Sequence, residues 1–160
     1  MNLGAWFRNF QLEKVSLNAR VIDLEMSFEP TDQDAAWELY IEMLTRIVTQ
    51  PLPAEVGDEI TALNSVYSLF PTTREILRRR GRNTIRFSMI AIPVLNQVVR
   101  PFTAKWHRES LAGAFEQAGK RSEFRQELSA LQEELRNYNR MLAGIADVED
   151  LTDLELIEGE

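Results

Sequence analysis

The chain of 160 residues has no cysteine and a single histidine, His107. The first absence excludes disulfide frameworks, thiolate zinc sites, iron–sulfur clusters and thiol nucleophiles. The second removes most imidazole metal sets and catalytic triads, so neither a metal nor a cofactor is expected. Long apolar runs are missing too. The longest, Phe87 to Val99, is broken by Ser88, Pro93, Asn96 and Gln97 and falls well short of the roughly 20 residues that span a bilayer. No membrane contact is therefore expected. The N-terminal MNLGAWFRNFQLEK lacks a basic cluster followed by a continuous apolar run, so a cytoplasmic location is expected. Also missing are a phosphate-cradling glycine loop, a nucleophile elbow and any metal-ligand spacing, and no reaction is declared.

What is present is an ordinary apolar content of 44% on a chain of one-domain length, enough to bury a core without staples. The net charge of −7 is unevenly spread. Residues 1–73 carry 4 basic and 11 acidic side chains, residues 74–125 carry 12 and 4, and residues 147–160 carry 7 acids and no base. A polarity of this size predicts opposed surface potentials that steer a charged partner or dock one segment on another, unless folding interleaves the segments. The acidic tail is one candidate for covering the basic segment.

Hydropathy along the chain predicts a mainly α fold, a bundle of about five helices with a short N-terminal β-hairpin or strand pair. Over residues 10–28 apolar residues alternate at Val15, Leu17, Ala19 and again at Ile22, Leu24, Met26, Phe28, the period of half-buried strands, with a slip near Arg20 and Val21. Thr31 is the expected N-cap of a helix over 32–50, whose apolar face is Ala36, Trp37, Tyr40, Met43, Leu44 and Ile47. Asp58 should cap the next helix, Pro71 should end or kink it, and Gly81 should close a further one. Asn83 or Thr84 should cap the helix that meets Pro93, and Pro101 predicts a kink or break in the stretch from Val94 to about Phe115. The last long helix carries a heptad seam, Phe124, Leu128, Leu131, Leu135, Tyr138, Leu142 and Ile145, expected to pack inside its own bundle. These elements predict one helical domain over 1–146, with a strand pair in 1–29 and helices in 32–146. An acidic tail over 147–160 follows, its Val148, Leu151, Leu154 and Ile157 spaced as on an amphipathic helix.

Two constellations bear on function. On a helix, Asn96, Arg100, Thr103 and His107 share one face beside Leu95, Val99, Phe102 and Trp106. In the functional reading, Arg100 clamps a phosphate or carboxylate, Asn96 and Thr103 orient it and His107 handles a proton, with Trp106 alongside. In the structural reading the same residues form a polar ladder to Glu38 and Glu42. The second is six arginines within 13 residues, Arg74, Arg78, Arg79, Arg80, Arg82 and Arg86. Nucleic acid is disfavoured for this cluster because the whole chain is acidic and no aromatic residues are interleaved with the arginines. An intraprotein or protein partner suits it better.

The stretches AAWELYIEMLTRIVTQPL at 35–52, ALNSVYSLFPTTREILRRRG at 62–81 and IPVLNQVVRPFTAKWH at 92–107 resemble a family of bacterial helical proteins to which no activity is attached. The resemblance implies a bacterial source and an accessory role in a defence or signalling system, and it implies no catalytic residue. The resulting expectation is a non-catalytic protein-interaction or regulatory module acting on a protein partner or as a homo-oligomer. The alternative, of a different class, is an enzyme or receptor for a small anionic ligand centred on Arg100 and His107.

Overall fold

The structure, a computed structural model, describes residues 1–154. It is mainly helical, as the hydropathy pattern predicts. The N-terminal strand pair is not there: among the described residues the only β pairing is an isolated bridge between Asn2 and Glu25. Asn2 caps α1 (Leu3–Asn9) by accepting from the Ala5 N–H, and Asn18 caps the single turn of α2 (Ala19–Ile22) by accepting from the Arg20 N–H. The slip of phase near Arg20 is therefore a helical turn. The alternation after it belongs to an extended segment laid along the first residues of the chain, where the Leu3 N–H donates to Leu24 O and the Met26 N–H to Met1 O. Met26 is buried and Leu24 and Phe28 are half-buried between exposed Asp23, Glu25 and Ser27, which gives the segment a half-buried pattern without a ladder.

The central helix is α3 (Pro30–Leu44). Its cap is Glu29 rather than Thr31, because Pro30 occupies the first helical position and Asp32 reaches back to the Glu29 N–H at 3.0 Å. Asp32 is fully buried, and its other oxygen accepts from the Phe87 N–H at 3.0 Å, which ties the start of α3 to the start of α6. The helix also stops earlier than the predicted 50. Thr49 donates to Met43 O, and Gln132 donates from α8 to Ile47 O and Gln50 O, so these carbonyls are satisfied without a further helical turn.

After the loop, Asp58 caps α4 (Glu59–Tyr67) through the Thr61 N–H at 2.7 Å, as expected. Pro71 sits in the first turn of α5 (Leu69–Arg80), where its missing N–H costs little, and the break falls at Ser68. Gly81 follows with φ +76°, a left-handed conformation that glycine adopts without a Cβ penalty. A short 3₁₀ turn, Gly81–Thr84, leads into α6 (Ile85–Val94). Of the kink or break predicted at Pro101, the break does not occur. The chain passes from α6 through a π-turn at Leu95–Val99 directly into α7 (Arg100–Leu111). There the Arg100 N–H reaches back five residues to Leu95 O, and this wider turn absorbs the donor that Pro101 lacks.

The final helix, α8 (Ala118–Ala146), buries all seven residues of its heptad seam, and α3 is its main neighbour. Trp106, Phe102, Phe115 and Phe124 close the other end of the core, with Trp106 stacked on Phe115 and edge-on to Phe124. Beyond α8, Asp147 turns the chain with φ +56°. The described part of the tail then lies against α3 and α8. The Leu151 N–H donates to the Tyr40 hydroxyl at 2.5 Å, Asn139 donates to the buried Thr152, and Arg140 holds Asp153 with two bonds of 2.7 and 2.8 Å. Ile157 lies outside the described residues.

The buried Asp32 carboxylate accepts the backbone N–H groups of Glu29 and Phe87. Replacing Asp32 with Ala should cost about 2–3 kcal/mol of unfolding free energy, and Asp32→Asn less, because one acceptor oxygen remains. Chemical denaturation monitored by circular dichroism checks this; a loss below about 0.5 kcal/mol for Asp32→Ala would remove Asp32 from this role.

Candidate functional site

The arginine cluster is divided by the rotation of α5. Arg79 and Arg80, at the end of the helix, turn to α3 and both bond Glu38, while Arg80 also reaches Asp34 at 3.3 Å. The Arg79 guanidinium, helped by Arg80, holds the Glu38 carboxyl below the usual glutamate value despite partial burial. Glu42 is taken by Arg46 one turn on, and Arg46 also reaches Ser68 and Thr72 across the α4–α5 junction. The acids expected to meet the His107 face are thus occupied by other arginines. Arg74, Arg78, Arg82 and Arg86 make no ion pair among the described residues.

The π-turn and α7 bring part of the predicted polar face together and turn the rest away. Asn96 accepts from Arg100 Nε and Nη2 at 3.2 and 3.0 Å on an exposed surface. Thr103 is buried, and its hydroxyl donates to the helix's own carbonyls at Val99 and Arg100. Trp106 is fully buried and donates from Nε1 to Glu127 at 2.8 Å, with Lys105 bridging Glu127 and Glu123. Its role is structural packing against α8. His107 is half-buried and meets Tyr67 of α4 edge-on, ring centroids 5.2 Å apart.

Three residues complete this surface: Tyr67 and Phe70, which the sequence expectation did not place in a site, and Arg74, which it placed in the arginine cluster and not beside Arg100. The Arg100 guanidinium lies 4.7 Å above the Phe70 ring, the Phe70 carbonyl accepts from Arg74 Nε at 3.3 Å, and Tyr67 packs on Phe70 at 5.7 Å. Tyr67, Phe70 and Arg74 follow each other at helical spacing across the α4–α5 junction. That spacing is a signal in the sequence, but only the packing of α4 and α5 against α7 shows that it faces Arg100.

A second feature is an open cleft of about 530 Å³ between α3 and α5. Trp37, Ile41, Pro71 and Ile76 line it, with Glu75 and the Glu38–Arg79 pair at the edge. Trp37 and Ile41 keep 44% and 38% of their surface in solvent, unusual for side chains on a helix whose opposite face forms the core. Among the described residues no group of three His, Asp or Glu side chains is placed to hold a metal ion, and no helix is long and apolar enough to cross a membrane. Comparison with protein-family models, curated proteins and solved structures gives no match to this chain.

The Glu38 cluster makes a pH-dependent contribution with a defined sign. Because the folded-state carboxyl titrates below its ordinary 4.5, its stabilisation is present above that value and fades as pH falls through the lowered folded value. Glu38→Gln should lose about 1 kcal/mol at neutral pH, and the difference from wild type should vanish in acid. Urea denaturation across pH measures this; a difference that stays constant into acid would contradict the pairing.

Proposed function

We propose that the chain is a non-catalytic protein-interaction or regulatory module of a bacterial cytoplasmic system, serving defence or signalling. Its partner is another protein, a second copy of this chain included. The observation that carries the reading is the α3–α5 cleft. Trp37 and Ile41 stand one helical turn apart on α3, exposed beside Pro71 and Ile76. Apolar clefts with an exposed tryptophan are where partner helices seat their own apolar faces. The rim of Glu75 and the Glu38–Arg79 pair supplies polar groups for the edge of such an interface.

The resemblance to bacterial accessory proteins supports the same reading. The two faces of the arginine cluster support it further: one is consumed by Glu38, and on the other Arg78, Arg82 and Arg86 make no ion pair among the described residues. The described tail residues engage Tyr40, Asn139 and Arg140 rather than Arg74 to Arg108. The tail is thus not the occupant of the basic surface over its described length.

Replacing Trp37 and Ile41 together with Ser should leave the melting midpoint nearly unchanged, because both side chains are already half in water. The double variant should lose at least tenfold in affinity for the protein that copurifies with the wild-type chain from its source cells, or in self-association if the partner is a second copy. Light scattering and surface plasmon resonance read the two cases. Unchanged association in both measurements would reject the cleft as the docking site.

A further inference from the structure

We propose that Arg74 and Arg100 form a phosphate-binding pair which, with Tyr67 beside it, takes a nucleotide unit. The site is distinct from the α3–α5 cleft and uses none of the residues that line it. Its centre is Phe70, whose two ends brace the two arginines. The ring carries the Arg100 guanidinium at 4.7 Å, and the carbonyl accepts from Arg74 Nε at 3.3 Å.

Each brace fixes a flexible side chain while leaving donors free. Among the described residues Arg74 spends only Nε, which leaves both of its terminal nitrogens as donors. Arg100 gives Nε and one N–H of Nη2 to Asn96, which leaves Nη1 and the second N–H of Nη2. Neither makes an ion pair among the described residues. Arg8, Arg20, Arg78, Arg82, Arg86, Arg108 and Arg121 likewise lack a carboxylate partner among the described residues, so what marks Arg74 and Arg100 is that both are held against Phe70 while keeping donors for an anion. A guanidinium stacked on an aromatic ring has already given up rotamer freedom and part of its hydration, so less is lost when a phosphate arrives.

Tyr67 favours anions that carry a flat ring over those that do not. It is 46% exposed, its ring is held upright by Phe70 and by the edge of His107, and it stands on the same brace as Arg100. The linear sequence has no aromatic residues among its arginines, but the fold supplies one from α4. A guanidinium pair with a neighbouring exposed tyrosine matches an anion that carries a flat ring, with the phosphate on the arginines and the base on the tyrosine. Arg78, one turn beyond Arg74 and exposed, extends the positive potential along α5.

Isothermal titration with adenosine monophosphate, ribose 5-phosphate, adenosine and a short oligothymidylate tests the assignment on the full chain. The monophosphate should bind one to one, ribose 5-phosphate more weakly, and adenosine not measurably. Arg74→Ala and Arg100→Ala should each weaken binding about ten- to a hundredfold, and Tyr67→Ala about tenfold. Arg20→Ala, which removes a distant exposed charge, should change nothing. Arg74→Lys and Arg100→Lys keep the charge and lose the planar fork, so they should also weaken binding, and they serve if an alanine variant fails to fold. If the oligonucleotide binds more tightly and its affinity falls steeply with salt, the source is a strand; if it binds no better, the source is a free nucleotide. The proposal is overturned if neither binds, if the arginine variants bind like wild type, or if a polyglutamate peptide competes as well as the monophosphate.

Discussion

The bond of Glu38 to both Arg79 and Arg80 sets the rotation of α5, and the two surfaces described above depend on that rotation. One carboxylate holds two consecutive arginines of α5 against α3, on the helix whose Leu69, Phe70, Thr73 and Ile76 are buried. It pulls the C-terminal turn of α5 toward α3 and opens the cleft lined by Trp37, Ile41 and Ile76 on that side. It also leaves Phe70 and Arg74, on earlier turns, to meet α7 and Arg100. The energy of the fold resides mainly in the apolar core, where Trp106, Phe124, Tyr40 and the α8 seam are buried. The ion cluster is partly exposed and contributes little to stability beside that core; its part is to orient the last turn of α5.

Three other polar groups act the same way at the ends of elements. Asp32 joins the starts of α3 and α6, Gln132 holds the turn that ends α3, and Asn139 meets Thr152 where the tail crosses α8. The first two accept from or donate to backbone groups at the ends of elements, and the third gives the buried Asn139 amide nitrogen an acceptor in Thr152. Together they turn an apolar bundle, which could slide along its helices, into one arrangement with a defined outer surface.

The sequence makes the helical class legible, because spacings of three and four recur from Ala36 to Ile145. The heptad seam of α8 and the caps at Asp58 and Gly81 can be read directly. The N-terminus misleads for a physical reason: an extended segment half-covered by the core alternates like a strand whether or not a ladder exists. Pro93 and Pro101 mislead because a π-turn between them restores continuity at the cost of one register step. For the site, the i, i+4 spacing identifies the Asn96–Arg100 pair. Thr103 and Trp106 share that region in sequence, but the face they occupy is turned to the core. Tyr67, Phe70 and Arg74 belong to the surface through packing between helices some thirty residues apart, which no local pattern encodes.

The central claim is that folding divides the basic segment into arginines that are used internally and arginines that are displayed. Side-chain NMR of the arginine Nε–H groups, followed during titration with inorganic phosphate, reads each guanidinium separately. Arg74 and Arg100 should shift together with a common saturation curve while Arg79 and Arg80 stay fixed on Glu38. Equal shifts for all four arginines would contradict it, because the cluster would then be one undivided basic surface.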